Sequence, residues 1–374
     1  MKIGIDGSCL ENFSGGVARI LTQMLQLWLQ LTNEHTFVLF FRESIPQDDF
    51  LRHSSIKLKL IKGPKIIRKR ASLTQQTLLS FEIKREKLDL FFSPWYAAPL
   101  YCPCPKTVVG LWDISFVTHK SHYSFRERHP LSFLSKNSST RADGIITCSE
   151  FDKRQIHKYY GIPNNSICAL KLTADEKFKP IKNKEKIYSF RQKYNLPKKY
   201  ILSLGVICNR RNVDIIIEAF KNVYEEFSDI GLVIVGKDQT KPFLNIKQKM
   251  QFLIDQKRGQ YIERMPENDL VELYNGAWYY ICTSTVDGTS IMLQEAMQCG
   301  TPVITSPLME ESVGESALII QDPKSKIETS ELFFKIIPSE KLHDKYAKKG
   351  LKWSESLSWM ELAQESLAFI NSIK

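Results

Sequence analysis

At 374 residues the chain is long for one ordinary domain, and its 43% hydrophobic and 25% charged composition is globular, which excludes a disordered chain or a repeat array. A net charge of +11 suits anionic partners, whether nucleoside diphosphates, acidic lipid headgroups or nucleic acid, without choosing among them. The eight cysteines show no metal-binding spacing, and Cys102-Pro-Cys104 is too cramped to chelate, so free thiols in a reducing cytosol are expected.

Met1-Lys-Ile-Gly-Ile-Asp-Gly reads as a first strand and turn, not a signal peptide, and no apolar run is long enough to span a bilayer, so the expected location is cytoplasmic. Gly15 and Gly16 precede Val17 to Leu25, whose apolar residues recur at helical spacing. Paired glycines at a helix start let backbone amides approach a ligand closely, and they also serve plain tight turns. Thr36 to Phe41 is a second strand. Lys57 to Arg70 mixes apolar and basic residues without one acid; it fits a surface drawn to an anionic leaflet and, equally, an edge strand followed by a solvated basic loop. Leu88 to Phe92 reads as a buried strand running into Ser93-Pro94-Trp95. Val108 to Ile114 is the next, carrying Trp112 and Asp113, with His119, His122 and His129 soon after. Ser149 is placed to cap a helix starting at Glu150. Asp175 to Arg191, rich in lysine around Pro180 and without periodicity, reads as a linker.

Tyr200 to Leu204 opens a second domain, and Arg210 and Arg211 follow it, ahead of an apolar helix. Guanidinium groups offer bidentate, permanently charged contacts to phosphate oxygens, although a two-arginine loop in isolation is usually solvated. Gly231 to Gly236 is another strand. Tyr279 to Cys282 is a short strand that stops at Thr-Ser-Thr-Val-Asp287-Gly288; Thr289 or Ser290 then caps a helix that turns Ile291, Leu293, Ala296 and Met297 towards a core. Gly300 and Pro302 close it, and Val303 to Thr305 restarts a strand. In such a strand-loop-helix unit, the free N–H groups and positive dipole end of the helix favour an anionic ligand. Asp287 and Glu295 flank that corner with carboxylates suited to hydroxyls.

Asp287, Glu295 and the following Ala-Met-Gln-Cys-Gly-Thr-Pro-Val-Ile resemble the nucleotide-sugar motif of the family 4 retaining glycosyltransferases, group 1 enzymes of the mannosyltransferase-like kind in the GT-B class. Gly205 to Asn212 is similar to that family's Gly-Thr-Ile-Glu-Pro-Arg-Lys-Asn, and the Tyr261 to Ala277 and Glu311 to Ile320 segments continue the likeness. There are departures. Trp112-Asp113 falls where the family usually has His-Asp, and Asp-Gly-Thr-Ser-Ile-Met stands in place of Glu-Gly-Phe-Gly-Leu-Pro.

The resemblance implies an α/β, GT-B architecture of two Rossmann-like, doubly wound domains facing a cleft. Residues 1–180 would bind the acceptor, 181–352 the nucleotide sugar, and a helix within 353–374, from Trp353 to Ile373, would pack back on the first domain. It implies transfer of a hexose, mannose in preference, from a nucleoside diphosphate sugar to a saccharide or lipid-linked saccharide hydroxyl with retention, with no metal or other cofactor. Arg210, Arg211 and the Ser290 and Ile291 region would hold the diphosphate, Glu295 the ribose hydroxyls, and the Met265 backbone the nucleobase. Asp287 would meet the sugar, Gly15 and Gly16 would form the first domain's ligand loop, Trp112 would act by stacking or shape, and Asp113 would orient acceptor or sugar. No side chain stands out as a nucleophile or general base.

Other classes fit less well. No Gly-x-Gly-x-x-Gly follows a strand, against a nicotinamide dehydrogenase, and no Asp-x-Asp pair occurs, against a metal-dependent GT-A transferase. The charge permits nucleic acid, but no recognition motif accompanies it. A non-catalytic nucleotide-sugar-binding relative is the remaining alternative, raised by Trp112 and Asp287.

Overall fold

Short apolar runs alternate with helices along the chain, and the runs become parallel strands in two separate sheets. The computed structural model describes residues 1–11 and 15–373, divided into one unit of Met1–Lys171 plus the stretch from Ser358 onward, and a second of Leu172–Leu357.

The first unit contains strands β1 (Lys2–Asp6), β2 (Thr36–Phe41), β3 (Ile56–Leu60), β4 (Leu90–Ser93), β5 (Lys106–Gly110), β6 (Gly144–Thr147) and β7 (Ile167–Ala169), in the order β3-β2-β1-β4-β5-β6-β7. Strands β2 and β4 are buried almost throughout, as a parallel sheet covered on both faces requires. The Gly16–Leu31 helix lays Trp28 against Phe37 of β2. The Trp28 indole N–H in turn donates to Ala363 O and Ser366 Oγ, both at 3.1 Å, on the Trp359–Ser372 helix.

The second unit holds β8 (Lys199–Leu204), β9 (Ile230–Val235), β10 (Gly259–Ile262), β11 (Tyr279–Cys282), β12 (Val303–Thr305) and β13 (Ala317–Ile319), ordered β10-β9-β8-β11-β12-β13. Alternate residues feed opposite cores: Tyr200, Leu202, Val233 and Tyr280 on one face, Ile201, Leu232, Ile234 and Ile281 on the other. Both sheets therefore reverse direction beside their first strand, at β1/β4 and at β8/β11. That is the doubly wound, Rossmann-like pattern, in which ligands bind outside the carboxyl ends of the strands at the reversal.

Three local expectations need correction. The stretch from Asp175 to Arg191 is not all linker: a helix, Lys184–Tyr194, starts inside it, capped by the Asn183 side chain accepting from Glu185 N at 2.9 Å and closed by left-handed Asn195. The strand expected to reach Ile114 ends at Gly110, so Trp112 and Asp113 sit on the loop after it. The single helix expected from Trp353 to Ile373 is two, Glu340–Glu355 and Trp359–Ser372, because Ser358 accepts from Met360 N and Glu361 N and starts the second. Among the described residues no helix is long and apolar enough to cross a membrane, and all eight cysteines are unbridged.

Candidate functional site

In the second unit, the loops leaving β8 and β11 emerge side by side because the strands pair directly. Gly205, at φ 120°, turns the first loop, and a Cβ there would lie 2.0 Å from Arg211 Nη1. Glycine thus makes room for a guanidinium that donates to Leu204 O at 3.1 Å. Burial works against the Arg211 charge, yet neighbouring Cys282, Asp287 and Tyr280 more than offset it, and its pKa is raised. The two loops are stitched together. Asn212 Nδ2 donates to Thr283 O at 2.8 Å, Thr283 Oγ1 to Arg211 O at 3.0 Å, and Thr285 N to Arg210 O at 2.9 Å.

This stitching brings Arg210 Nε to 3.4 Å from Asp287 Oδ1, while Ser284 Oγ donates to Asp287 Oδ2 at 2.9 Å. Ser290, in extended conformation, is the N-cap residue of the Ile291–Gln298 helix, and its side chain makes no capping bond. The first-turn amides thereby keep the anion-binding capacity of a helix start. One turn further in, Glu295 is 2% exposed and its Oε2 accepts from Tyr274 Oη at 2.7 Å. Burial, and then the Glu295 carboxylate, push the Tyr274 phenol well above its ordinary range, so it remains a neutral donor. Arg210, Arg211, Asp287, Ser290, Ile291 and Glu295 are thus set on the β8 and β11 loops and the helix that follows. Met265, beyond β10, is buried in the same core cluster as Tyr274 and Leu293.

The other candidates belong to the first unit. Gly15, at φ 98°, and Gly16 open the Gly16–Leu31 helix, and among the described residues a Cβ at either would meet nothing within 4 Å. Trp112 is 7% exposed and gives its indole N–H to Pro94 O at 2.7 Å, so it braces the neighbouring turn from inside. Asp113 Oδ2 accepts from Tyr96 Oη at 2.6 Å and Oδ1 from Ser115 N at 2.8 Å, with the Ser115 hydroxyl also on Oδ1.

Sequence reasoning singles out neither Tyr274 nor Ser284, since a tyrosine in an apolar helix and a serine in a turn are unremarkable until the fold pairs them. Asn212 did carry a signal. An asparagine between an arginine pair and an apolar helix tolerates the left-handed geometry it takes, φ 49°, better than other non-glycine residues do.

The chain matches the glycosyltransferase family 4 over residues 14–170 and the glycosyl transferases group 1 over residues 185–353. The serotype-specific mannosyltransferase WbdA of Escherichia coli is 24% identical over 269 residues, 69% of this chain and 32% of WbdA, so the chain spans about a third of that relative's length. The O-antigen chain mannosyltransferase B of Escherichia coli is 23% identical over 267 residues, covering 70% of this chain and 69% of the relative. Among solved structures, WaaG, a glycosyltransferase involved in lipopolysaccharide biosynthesis, superposes over 100% of both chains with a TM-score of 0.75 at 16% identity. Anabaena HepE in complex with UDP-glucose does so over 100% of both chains with a TM-score of 0.74 at 15% identity. Identities this low speak for the fold alone. With one family match on each doubly wound unit and GT-B neighbours along the whole length, the chain belongs to the family 4 glycosyltransferases and has their GT-B fold.

Proposed function

We propose that the protein transfers a hexose, mannose in preference, from a nucleoside diphosphate sugar to a hydroxyl of a saccharide or lipid-linked saccharide, with retention and without a metal ion. The observation that carries this reading is the β8/β11 reversal, where Arg210, Arg211 and Asp287 meet just ahead of a helix that holds Glu295. Cations and first-turn amides suit a diphosphate, and carboxylates suit sugar hydroxyls. The mannosyltransferase relatives support the preferred hexose, and the UDP-glucose complex of HepE supports the donor class.

In this reading Arg210, Arg211 and the amides of Ser290 and Ile291 hold the diphosphate, Glu295 takes the ribose hydroxyls, the Met265 backbone lies by the base, and Asp287 meets the sugar. Gly15 and Gly16 admit a ligand to an open helix start, Trp112 acts by shape, and Asp113 orients acceptor or sugar. The acceptor oxygen attacks the anomeric carbon on the face that the diphosphate leaves; the new glycosidic bond forms as the bond to phosphate breaks, and the departing diphosphate takes the proton. Two fixed guanidinium groups stabilise the charge developing on that leaving group. Melting shifts across UDP, GDP, ADP and dTDP and their sugars identify the donor. Turnover then runs with and without EDTA, with the anomeric configuration of the product read by proton NMR. Unchanged activity in EDTA and a retained anomer support the reading. Activity lost in EDTA and restored by manganese or magnesium removes the metal-independent mechanism.

One observation favours a second reading, a non-catalytic nucleotide-sugar-binding relative: the Trp112 N–H is committed to Pro94 O and cannot serve a sugar. Donor binding without hydrolysis or transfer would establish it.

The acceptor side also fits an anionic membrane surface. Lys57 and Lys59 do not contribute freely, since both pair with Glu86, at 2.9 and 2.6 Å. The exposed patch lies beyond them: Lys62, Lys65, Lys69 and Arg70 are exposed, with Ile66 71% and Leu73 40% exposed among them.

A further inference from the structure

Trp95 stands on the loop leaving β4, the strand that pairs with β1 at the reversal of the first sheet. Open α/β sheets bind ligands at that position. The side chain is 52% exposed, so the fold gains little by burying it. Its backbone surroundings, however, are held at every step. Ser93 Oγ donates to Ala97 O at 2.6 Å, Gln75 Nε2 to the same oxygen at 2.8 Å, Trp112 Nε1 to Pro94 O at 2.7 Å, and Tyr96 N to Gly110 O at 2.9 Å. Gly110 permits this approach, because a Cβ there would lie 2.9 Å from Pro94 O.

Tyr96 itself adopts φ 47°, a left-handed conformation that costs a non-glycine residue free energy and persists only where its surroundings enforce it. Asp113 enforces it by taking the Tyr96 hydroxyl at 2.6 Å. The Tyr96 ring lies perpendicular to the Trp95 indole, with centroids 5.5 Å apart and planes at 87°, and braces it while the indole stays half exposed. Strain and a set of hydrogen bonds thus maintain one solvent-facing indole at the ligand-binding edge of a sheet. A polar margin lies alongside: Gln75 Nε2 also reaches Asp6 Oδ2 at 3.4 Å, and Asp6 Oδ1 accepts from Ser8 Oγ at 2.6 Å.

A rigid apolar plane beside hydrogen-bonding groups is the chemistry that recognises a pyranose ring, whose C–H face packs on an aromatic while its hydroxyls seek polar partners. We propose that Trp95 is a saccharide-recognition residue, a platform on which a sugar ring of the acceptor stacks. That the sugar is an acceptor rests on the transferase reading above; that Trp95 binds a glycoside does not. Trp112, Gly110, Tyr96 and Asp113 act through it as positioning residues.

The test uses the full chain labelled with 5-fluorotryptophan, whose six tryptophans give separate fluorine signals, with that of Trp95 assigned by its loss in Trp95→Phe. Methyl α-mannoside, methyl α-glucoside, methyl α-galactoside and an α-linked mannobiose are titrated in turn, and UDP and GDP are followed in parallel by melting shift. At least one glycoside should move the Trp95 signal, and Trp95→Ala should weaken its binding about tenfold or more while Trp95→Phe retains most of it and nucleotide shifts stay unchanged. A Trp95 signal unmoved by every glycoside overturns the proposal, as does unaltered glycoside binding by a folded Trp95→Ala variant. Should Trp95→Ala fail to fold, the fluorine titration and Trp95→Phe still decide. Nucleotide shifts without any Trp95 response sink the platform alone, whereas glycoside binding at Trp95 without any nucleotide response leaves the platform and sinks the transferase reading.

Discussion

Glu295 has a structural contact and a proposed ligand contact, and substitution can separate them. Tyr274→Phe removes the hydroxyl that Glu295 accepts at 2.7 Å, so it should lower stability by about 1–3 kcal/mol, the cost of leaving a buried polar group short of a partner. Glu295→Gln retains an oxygen for Tyr274 and should stay close to wild type in stability, yet lose about 1.5–3 kcal/mol of nucleoside diphosphate affinity, as expected for hydrogen bonds to a charged group. Urea unfolding and calorimetric titration read the two quantities independently. An unchanged dissociation constant in a folded Glu295→Gln protein would take Glu295 out of the ribose role. The legibility of these residues divides in the same way. Arg210, Arg211, Asp287 and Glu295 are visible in sequence because strand ends and helix starts announce the corner they occupy. Tyr274 is not, because its meeting with Glu295 depends on how the 270–276 and 291–298 helices pack, and no local pattern encodes that.

The elements built from continuous apolar runs were the readable ones: β2, β11 and β12 have the bounds their sequences predict, since glycine or polar residues punctuate them. The Lys184–Tyr194 helix was hidden because lysines dilute its inward face to Ile187 and Phe190, although Asn183 and Asn195 marked both ends. At β3 the acid-free sequence misleads in another way, for Glu86 arrives from the Leu78–Glu86 helix to pair with Lys57, Lys59 and Lys2. Burial raises the Glu86 pKa, but the three ammonium groups outweigh it and hold the carboxyl at about 2. A folded pKa below the unfolded value contributes stability above the unfolded pKa, and that contribution disappears as pH falls through the folded one. The stability gap between wild type and Glu86→Gln should therefore be on the order of 1–2 kcal/mol near neutrality, after discounting for the partly solvated lysines. It should close between pH 4.5 and about 2, as urea unfolding across that range would show; a gap independent of pH would rule the cluster out as a source of stability. The patch beyond the cluster carries a separate expectation. At about 1 kcal/mol per basic residue near an anionic surface, four lysines and arginines give reversible, salt-sensitive attachment. Wild type should sediment with anionic but not neutral vesicles at low salt, and a Lys65→Glu, Lys69→Glu, Arg70→Glu variant should remain in solution. Equal binding of both proteins would leave the patch as an ordinary solvated edge and favour a soluble acceptor.

At the scale of the molecule, one winding pattern is used twice, and the two copies differ in how the chain completes them. The second unit is continuous, Leu172–Leu357, and contains all the groups proposed to hold the nucleotide except the open helix start at Gly15 and Gly16. The first is discontinuous, since its Gly16–Leu31 helix is covered by the Trp359–Ser372 helix from the far end of the sequence. Trp28 is completely buried there, and both acceptors of its indole N–H, Ala363 O and Ser366 Oγ, come from that terminal helix. Removing residues 358–374 would expose Trp28 and strip the N–H of both partners, together with the apolar contacts of Leu362, Leu367 and Ile370. Fully burying one large apolar side chain is worth about 1.5–3 kcal/mol, so the loss of several is comparable with the whole stability of a domain. A chain ending at Leu357 should therefore melt in two steps: a first unit destabilised by tens of degrees, and a second unit melting near its wild-type temperature. The second step should still rise when the preferred nucleoside diphosphate is added, because binding to a folded unit stabilises that unit by mass action. Differential scanning calorimetry with and without nucleotide distinguishes the outcomes. A single, unshifted transition in the truncated chain would show that the terminal helix is dispensable to the first unit, and a nucleotide response that vanishes with it would place essential donor contacts outside Leu172–Leu357.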